Sequence, residues 1–497
     1  MRRTTPIGLA VLIACAALPP AAEATSDKCK LNGSGIDPCV VLRAPAAEIP
    51  AIAQQHGLTV VEGLSASDPD VVLAEGPTNV PVEDTVAALA ADPDVVDAEA
   101  VMLASLGESE PGTQIDLTQL ADLDATAIDG VYSGSESAYF SASAWNGYMQ
   151  QPAVALIKLQ PVRNPAIAET YGTGVVAVID TGVDPDHPLL QGALVPGYDF
   201  LIDQAGIASE WEVLDPATRD QTQQDLESFA DQSYSSIVEG SGDTALMNDS
   251  TETIVDQSYS SIVEQSYSSI VEGNPLPAAF GHGTMVAGLV RLMAPGAQIM
   301  PIRIFDGDGR ASTADVLKAI YFAIDNGANV INMSFSMSDG TRELERAVAK
   351  AKSAGLVGVS STGNQASQSL TYPAALGYVL GVAATDTQDA LSSFSNYGLA
   401  LAAVGAPGEA LVSLYPGGLY AGGWGTSFST ALVSGSIALL HDLLSNGSLV
   451  AARFGDADRA LEDSADPPNP PTPPGAIGYG RLDVDELWDY GRYNGSN

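Results

Sequence analysis

The stretch VVAVIDTGVDPDHP, residues 175–188, opens with five apolar residues and closes that run on a carboxylate, Asp180. An apolar run of this length with no polar alternation is what a strand buried on both faces of a parallel sheet requires. The Thr-Gly and Asp-Pro pairs that follow are turn residues. Further runs of the same kind come later: AQIMPIRIF (297–305), ANVINMSF (328–335), GLVGVSST (355–362) and GYVLGVAAT (377–385). Helical segments lie between several of them. Strand, loop and helix repeated in this order predict a doubly wound, mostly parallel α/β sheet.

Open sheets of this class place their sites beyond the carboxyl ends of the strands, where Asp180 stands. Two other stretches carry groups that suit it. GHGTMVAG (281–288) sets His282 between glycines, just before an apolar helical run. GTSFSTALVSG (425–435) sets Ser427 at the start of another. A serine hydroxyl is a poor nucleophile alone; it needs a base, a group that orients the base, and donors for the oxyanion. Ser429 and Ser434 read as small residues that let a buried helix pack closely, and Gly425 and Thr426 as the tight turn before Ser427. His56, His187 and His441 lack the glycine context; His187, in Asp-His-Pro, reads as structural.

Asp180-Thr181-Gly182, Gly281-His282-Gly283-Thr284 and Gly425-Thr426-Ser427, in this order, resemble the subtilisin-like serine peptidases, the subtilase family. The resemblance runs over about residues 170 to 488. Ser361-Thr362-Gly363-Asn364 is similar to the family's oxyanion-hole stretch, and Tyr372-Pro373-Ala374, Ala406-Pro407-Gly408 and Gly480-Arg481-Leu482-Asp483-Val484 fit as well. The resemblance implies a serine endopeptidase, a hydrolase cutting peptide bonds through an acyl-enzyme, with Asp180, His282 and Ser427 as catalytic residues. Asn364 and the backbone N–H of Ser427 would form the oxyanion hole. It also implies a substrate held extended between Ser334-Phe335-Ser336 and a second edge near residues 306–311, with Ser361, Thr362 and Gly363 beside it. Ser336 and Ala311 stand where the family often has glycine, and a side chain there would narrow the first specificity pocket or tilt the strand; Met285 stands for a common histidine. No cofactor or catalytic metal is expected. Calcium often stabilises members of the family and the many acids permit it, but no liganding loop of recognisable spacing is present.

Outward from this region the chain changes character. Residues 1–24 read as an export signal: Arg2 and Arg3, the apolar PIGLAVLIACAAL, and Ala22-Glu23-Ala24 for cleavage. The apolar run is short for a membrane span, and no second one follows, so no transmembrane span is expected. A secreted, extracellular or periplasmic location follows. Leu12-Ile13-Ala14-Cys15 looks like a lipobox and leaves open a lipid anchor on Cys15. Cys29 and Cys39 are expected to pair in an oxidising compartment.

Residues 25–104 read as a small β-α-β-β-α-β unit, a ferredoxin-like sandwich. One helix stops at Gly57, another puts Val82, Val86, Leu89 and Ala90 on one face, and Val96, Ala98 and Ala100 then alternate with Asp97 and Glu99. This order resembles the subtilase propeptide, which implies an intramolecular chaperone and inhibitor and a chain made as a zymogen. Residues 105–150 read as an acidic Ser/Gly linker holding the maturation site, and residues 151–497 as the peptidase domain. Ala44 to Ile157 contains no Lys or Arg. A self-inflicted cut in the linker therefore has no basic residue before it, so a preference for apolar or small residues is expected. Residues 203–274 form an acidic insertion with QSYSSIVE at 232–239, 257–264 and 265–272, read as a solvated low-complexity surface.

The 497 residues carry 61 acids against 20 basic residues, which excludes nucleic-acid binding through the overall field. The expected partners are peptide or protein substrates and the chain's own propeptide, and a monomer is expected. Two other readings stand beside the protease: an inactive subtilase fold acting as a binding or scaffold protein, and a lipid-anchored surface processing protease.

Overall fold

The computed structural model describes residues 29–106 (except 30, 33, 34 and 37), 136–139, 142–159, 173–223, 279–444, 454–467 and 473–494. The export segment 1–24 with Cys15, most of the linker, and all three QSYSSIVE copies lie outside the described residues.

The main sheet has eight strands, in the order Gln204–Gly206, Gly197–Asp199, Gln298–Arg303, Val175–Asp180, Val330–Met333, Val357–Ser361, Val379–Thr385 and Val404–Pro407. Every neighbouring pair is parallel except the first. The strand order reverses at Val175–Asp180, which lies between Gln298–Arg303 and Val330–Met333. That reversal opens a crevice at the carboxyl end of the strand.

Alternation along Val175–Asp180 decides what each face meets. Val176 and Val178 enter the core built with Val286 and Leu289 of the helix His282–Met293 and with Phe428 and Leu432 of the helix Thr426–Leu444. Ala177 and Ile179 enter the opposite core, with Leu317 and Ile320 of Thr313–Asp325 and Leu344 and Val348 of Arg342–Ser353. By the same period of two, Asp180 falls on the face of the first two helices. In His282–Met293 every residue but Arg291 is buried, the signature of a helix enclosed on all sides.

The small unit is an antiparallel sheet in the order Thr59–Gly63, Val71–Glu75, Cys39–Arg43, Asp97–Ala100, with helices Ile49–His56 and Val82–Ala90. The first helix ends at Gly57 in the left-handed region, φ 66°. Cys29 and Cys39 form a disulfide. Val40, Leu42, Val72, Ala74 and Ala98 pack with Ile52 and Leu89 of the helices, while Val41, Val71 and Leu73 on the other face join the core of the Thr313–Asp325 and Arg342–Ser353 helices.

Two expectations change here. Asp97 and Glu99 do not form a solvent face. Asp97 Oδ2 pairs with Arg346 Nη1 at 2.6 Å, and Glu99 Oε1 accepts from the backbone N–H of Arg342 at 2.5 Å and of Glu343 at 3.1 Å. Glu99 thereby caps the start of a helix in the larger unit, where N–H groups have no partner within the helix. Val96, read as inward, is 57% exposed.

The stretch read as linker also contains structure. Glu136–Tyr139 and Ala142–Trp145 pair as a hairpin. The Tyr139 hydroxyl donates to the Arg291 carbonyl at 2.9 Å, and Trp145 lies 5.6 Å from Tyr420, centroid to centroid. Acidic composition hid the aromatic surface that anchors this end. Among the described residues no helix is long and apolar enough to cross a membrane.

The two units are joined by ion pairs, chiefly at Arg43. Its Nε and Nη2 donate to Glu343 Oε2 and Oε1 at 2.7 and 2.5 Å, and Nη2 also reaches Asp68 at 3.1 Å. Glu343 is 1% exposed. Removing one member of a buried pair costs about 2–5 kcal/mol because the other charge is stranded. Arg346 and the Tyr321 hydroxyl still touch Glu343, at 3.3 and 2.6 Å. Arg43→Ala is therefore expected to lose about 2 kcal/mol, read as a lower denaturant midpoint for the intact chain with an unchanged slope.

Candidate active site

Asp180 ends its strand with its carboxylate fully enclosed. A buried charge needs partners, and Asp180 Oδ1 has two donors: the N–H of Thr181 at 2.8 Å and His282 Nδ1 at 2.8 Å. His282 begins its helix from Gly281, whose φ of 87° is a left-handed turn that favours glycine. The approach is close. A Cβ on Gly283 would lie 2.1 Å from the Gly182 carbonyl oxygen. The bond from Nδ1 fixes the imidazole so that Nε2 is the nitrogen left for proton transfer.

Ser427 stands in the first turn of Thr426–Leu444 and is 1% exposed. The His282 ring lies 5.6 Å from the ring of Phe428, the next residue, centroid to centroid. In this structure Ser427 Oγ donates to the Ser334 carbonyl at 3.0 Å, and Ser334 Oγ donates to the Ser427 carbonyl at 3.0 Å. Ser334 Oγ also accepts from Asn332 Nδ2, and Asn332 Oδ1 accepts from Ser434 Oγ. Ser434 is therefore more than a small packing residue: its hydroxyl holds the side chain that holds Ser334. Ser429 donates to the carbonyls of Ala406 and Pro407.

Asn364 follows the strand Val357–Ser361. Its Oδ1 accepts from the N–H and the hydroxyl of Thr426, at 3.0 and 2.9 Å. With Oδ1 engaged, donation to an oxyanion falls to Nδ2. Thr426 Oγ1 in turn accepts from the Gly363 N–H at 3.2 Å, so Thr426 ties the Asn364 loop to the Ser427 helix. Thr362 is braced from Asn396: the Thr362 hydroxyl donates to the Asn396 carbonyl and Asn396 Nδ2 donates to the Thr362 carbonyl. Ser361 Oγ donates to the Phe335 carbonyl at 3.2 Å. The structure thus gathers Asp180, His282, Ser427, Asn364, Ser334–Ser336 and Ser361–Gly363 at one edge of the sheet.

The groove between the two expected substrate edges holds part of the chain itself. Leu103–Ser105 pairs antiparallel with Arg310–Ser312, Ala104 facing Ala311. On the other side Ser105 and Ser336 exchange two main-chain bonds, 3.4 and 3.1 Å, and Leu106 N–H donates to the Gly309 carbonyl at 2.9 Å. Ala104 and Leu106 are each 1% exposed.

His187 is elsewhere: Nδ1 accepts from the Leu189 N–H and Nε2 donates to the Leu419 carbonyl, which fixes a neutral tautomer, and burial pushes its pKa down. Among the described residues no group of three or more His, Cys, Asp or Glu side chains could hold a metal ion.

Sequence reasoning missed Glu210. It lies in the stretch read as a solvated insertion, yet it is 5% exposed and next to the site. Its Oε1 accepts from the Gly281 N–H at 2.7 Å and the Thr181 hydroxyl at 3.1 Å. Burial is the main cause that pushes its pKa up to about 8; the nearby Asp180 charge adds, while Arg303 and the two hydrogen bonds oppose. The one local signal was Trp211 beside it, an aromatic residue in a polar loop, which is 5% exposed and lies 6.1 Å from Phe280.

The chain matches known proteins over this region. The model of the subtilase family matches residues 172–480. Subtilisin BL of Lederbergia lenta is 36% identical over 169 residues, 32% of this chain and 62% of that protein. The thermophilic serine proteinase of Bacillus sp. (strain AK1) is 32% identical over 265 residues, 53% of this chain and 51% of that one. Thermitase of Thermoactinomyces vulgaris is 30% identical over 319 residues, 62% of this chain and 86% of the other. The chain thus spans less than two thirds of the first two of these relatives. The crystal structure of fervidolysin from Fervidobacterium pennivorans, described as a keratinolytic enzyme related to subtilisin, covers 91% of this chain and 60% of its own, with a TM-score of 0.60 at 23% identity. That likeness is one of fold.

A methyl group at Gly283 has nowhere to go but against the Gly182 backbone, so Gly283→Ala should push His282 off Asp180. A misplacement of about 1 Å costs roughly a hundredfold in reactions that depend on orientation. The expected result is loss of the downfield proton signal of the hydrogen-bonded imidazole and about a hundredfold slower labelling of Ser427 by a fluorophosphonate.

Proposed function

The chain belongs to the subtilase family, and from that premise we propose that it is an exported serine endopeptidase made as a self-processing zymogen. The observation that carries the reading is the 2.8 Å bond from His282 Nδ1 to Asp180, with Ser427 opening the adjoining helix. For attack, the Ser427 hydroxyl donates to His282 Nε2. Oγ bonds to the peptide carbonyl carbon as its proton passes to the imidazole, and Asp180 stabilises the imidazolium. The oxyanion is met by Asn364 Nδ2 and the Ser427 N–H, at the positive end of a helix. The imidazolium then gives its proton to the leaving amine. Water, deprotonated by the same imidazole, attacks the acyl-enzyme and frees the serine.

The strand Leu103–Ser105 supports the inhibitor reading of the small unit. It occupies both edges of the groove through main-chain bonds that any peptide can make, and so excludes substrate while it stays. Ser336 is two residues from Ser334, whose carbonyl meets Ser427. We place the maturation cut within about three residues after Leu106, a distance set by the antiparallel register. The disulfide near the start supports an oxidising compartment.

A fluorophosphonate probe should label Ser427 and fail to label Ser427→Ala, which should accumulate as the uncut chain. Mass mapping of the processed protein should give a first residue shortly after Leu106; a start just after Arg43 or Lys158 would refute the non-basic preference. Asn364→Ala should lower kcat by about a hundred- to a thousandfold with little change in KM.

A further inference from the structure

Behind the Asp180–His282 pair lies Glu210, a residue that the peptidase chemistry does not use. Its Oε1 receives the N–H of Gly281, the residue before His282, and the hydroxyl of Thr181, the residue after Asp180. Thr181 Oγ1 also accepts from the N–H of Gly283, the residue after His282, at 3.1 Å. The three bonds enclose both site residues from behind. The segment that carries Glu210 is itself clamped on this spot: the Val183 N–H donates to the Ala208 carbonyl at 3.0 Å, and a Cβ on Gly182 would lie 3.0 Å from the Glu210 nitrogen. The ring of Tyr415 closes the remaining side; a Cβ on Gly281 would meet it at 2.2 Å.

We propose that Glu210 is a positioning residue whose carboxyl yokes the strand end at Asp180 to the helix start at His282 and sets their separation. The proposal rests on the peptidase reading for its kinetic test, though not for its structural one. The strand end and the helix start come from segments about a hundred residues apart, and apolar packing alone leaves latitude along the helix axis. One acceptor oxygen shared by a donor from each segment removes it, because a shift of either stretches a bond in an enclosed site.

The charge state of this yoke changes near neutrality. The groups that face Glu210 are Asp180 on its strand, Arg303 on the neighbouring strand and Tyr415 at the end of the strand Leu411–Tyr415. Below about pH 8 the carboxyl is neutral. Above it a second negative charge stands behind Asp180, which favours the imidazolium formed in the transition state. The turnover of the processed protein should therefore show a second ascending step, about twofold to fivefold, centred near pH 8.

The test compares Glu210→Ala with Glu210→Gln in the full chain, processed as the parent is. Glu210→Ala should lower kcat more than tenfold with KM within twofold and abolish the downfield imidazole signal of His282. Glu210→Gln keeps an acceptor oxygen for both donors, so it should recover most of the lost turnover and the signal, but lack the step near pH 8. A folded Glu210→Ala protein with kcat within twofold of the parent and the His282 signal intact would overturn the proposal, as would equal losses in both variants. Should Glu210→Ala fail to fold, Glu210→Met, which fills the site without an acceptor oxygen for Gly281 and Thr181, takes its place: an intact His282 signal with kcat within twofold of the parent overturns the proposal, and their loss supports it. If the parent does not react with fluorophosphonate, the peptidase reading is what has failed, and the His282 signal of the two variants still judges Glu210.

Discussion

The structure depends on a single alternation, that of the strand Val175–Asp180 between two cores. Val176 and Val178 belong to one core and Ala177 and Ile179 to the other. The strand cannot slip by one residue without exchanging all four, so its register is fixed more firmly than that of a strand with a wet face. Asp180 inherits that certainty. It falls on the face of the helices that begin with His282 and near Ser427, and at the point where the strand order reverses. Burying a carboxylate there costs free energy unless donors surround it, and Thr181 and His282 supply them. Core packing and site geometry are thus two aspects of one constraint.

This explains which parts were legible in the sequence. Asp180, His282 and Ser427 could be read because their contexts are local: an apolar run, a glycine that permits a left-handed turn, a helix start. The sheet was legible because strands buried on both faces leave apolar runs. Glu210 was not, since nothing in Ala208-Ser209-Glu210 distinguishes a carboxyl folded against the site from one in water. Composition misled in the same way at Tyr139 and Trp145, where acidic neighbours concealed an anchored hairpin. Asp97 and Glu99 alternate as a solvent face would, and only the second unit reveals them as an interface. In each case the missing information is the partner, which lies far away in the chain.

The small unit is held in two ways that respond differently to conditions. In the groove the bonds are main chain to main chain, Ser105 with Ser336 and Leu106 with Gly309, and neither salt nor pH touches them directly. On the helices the hold is ionic, through Arg43–Glu343 and Arg346–Asp97, with Glu99 at a helix start. While the chain is whole, either contact raises the effective concentration of the other. Arg43–Glu343 is shielded from solvent and resists screening, whereas Arg346 is 36% exposed and its pair with Asp97 is more open to salt. The buried pair therefore fixes the orientation, and the exposed one contributes most at low ionic strength.

Two threonines perform the same task on opposite sides of the site. Thr181 follows Asp180; its hydroxyl donates to Glu210 and accepts from Gly283. Thr426 precedes Ser427; its hydroxyl donates to Asn364 and accepts from Gly363. A hydroxyl is the smallest side-chain group that donates and accepts at once, so each threonine can stitch two chain segments where there is no room for more. In both cases the accepted N–H belongs to a glycine adjacent to another site residue, His282 or Asn364. A valine of the same shape in either place would keep the packing but strand the buried glycine N–H and leave the acceptor, Glu210 Oε1 or Asn364 Oδ1, with one donor instead of two. The His282 side and the Asn364 side of the site are therefore aligned by one device used twice, and the Asp-Thr-Gly and Gly-Thr-Ser spellings in the sequence are its local trace.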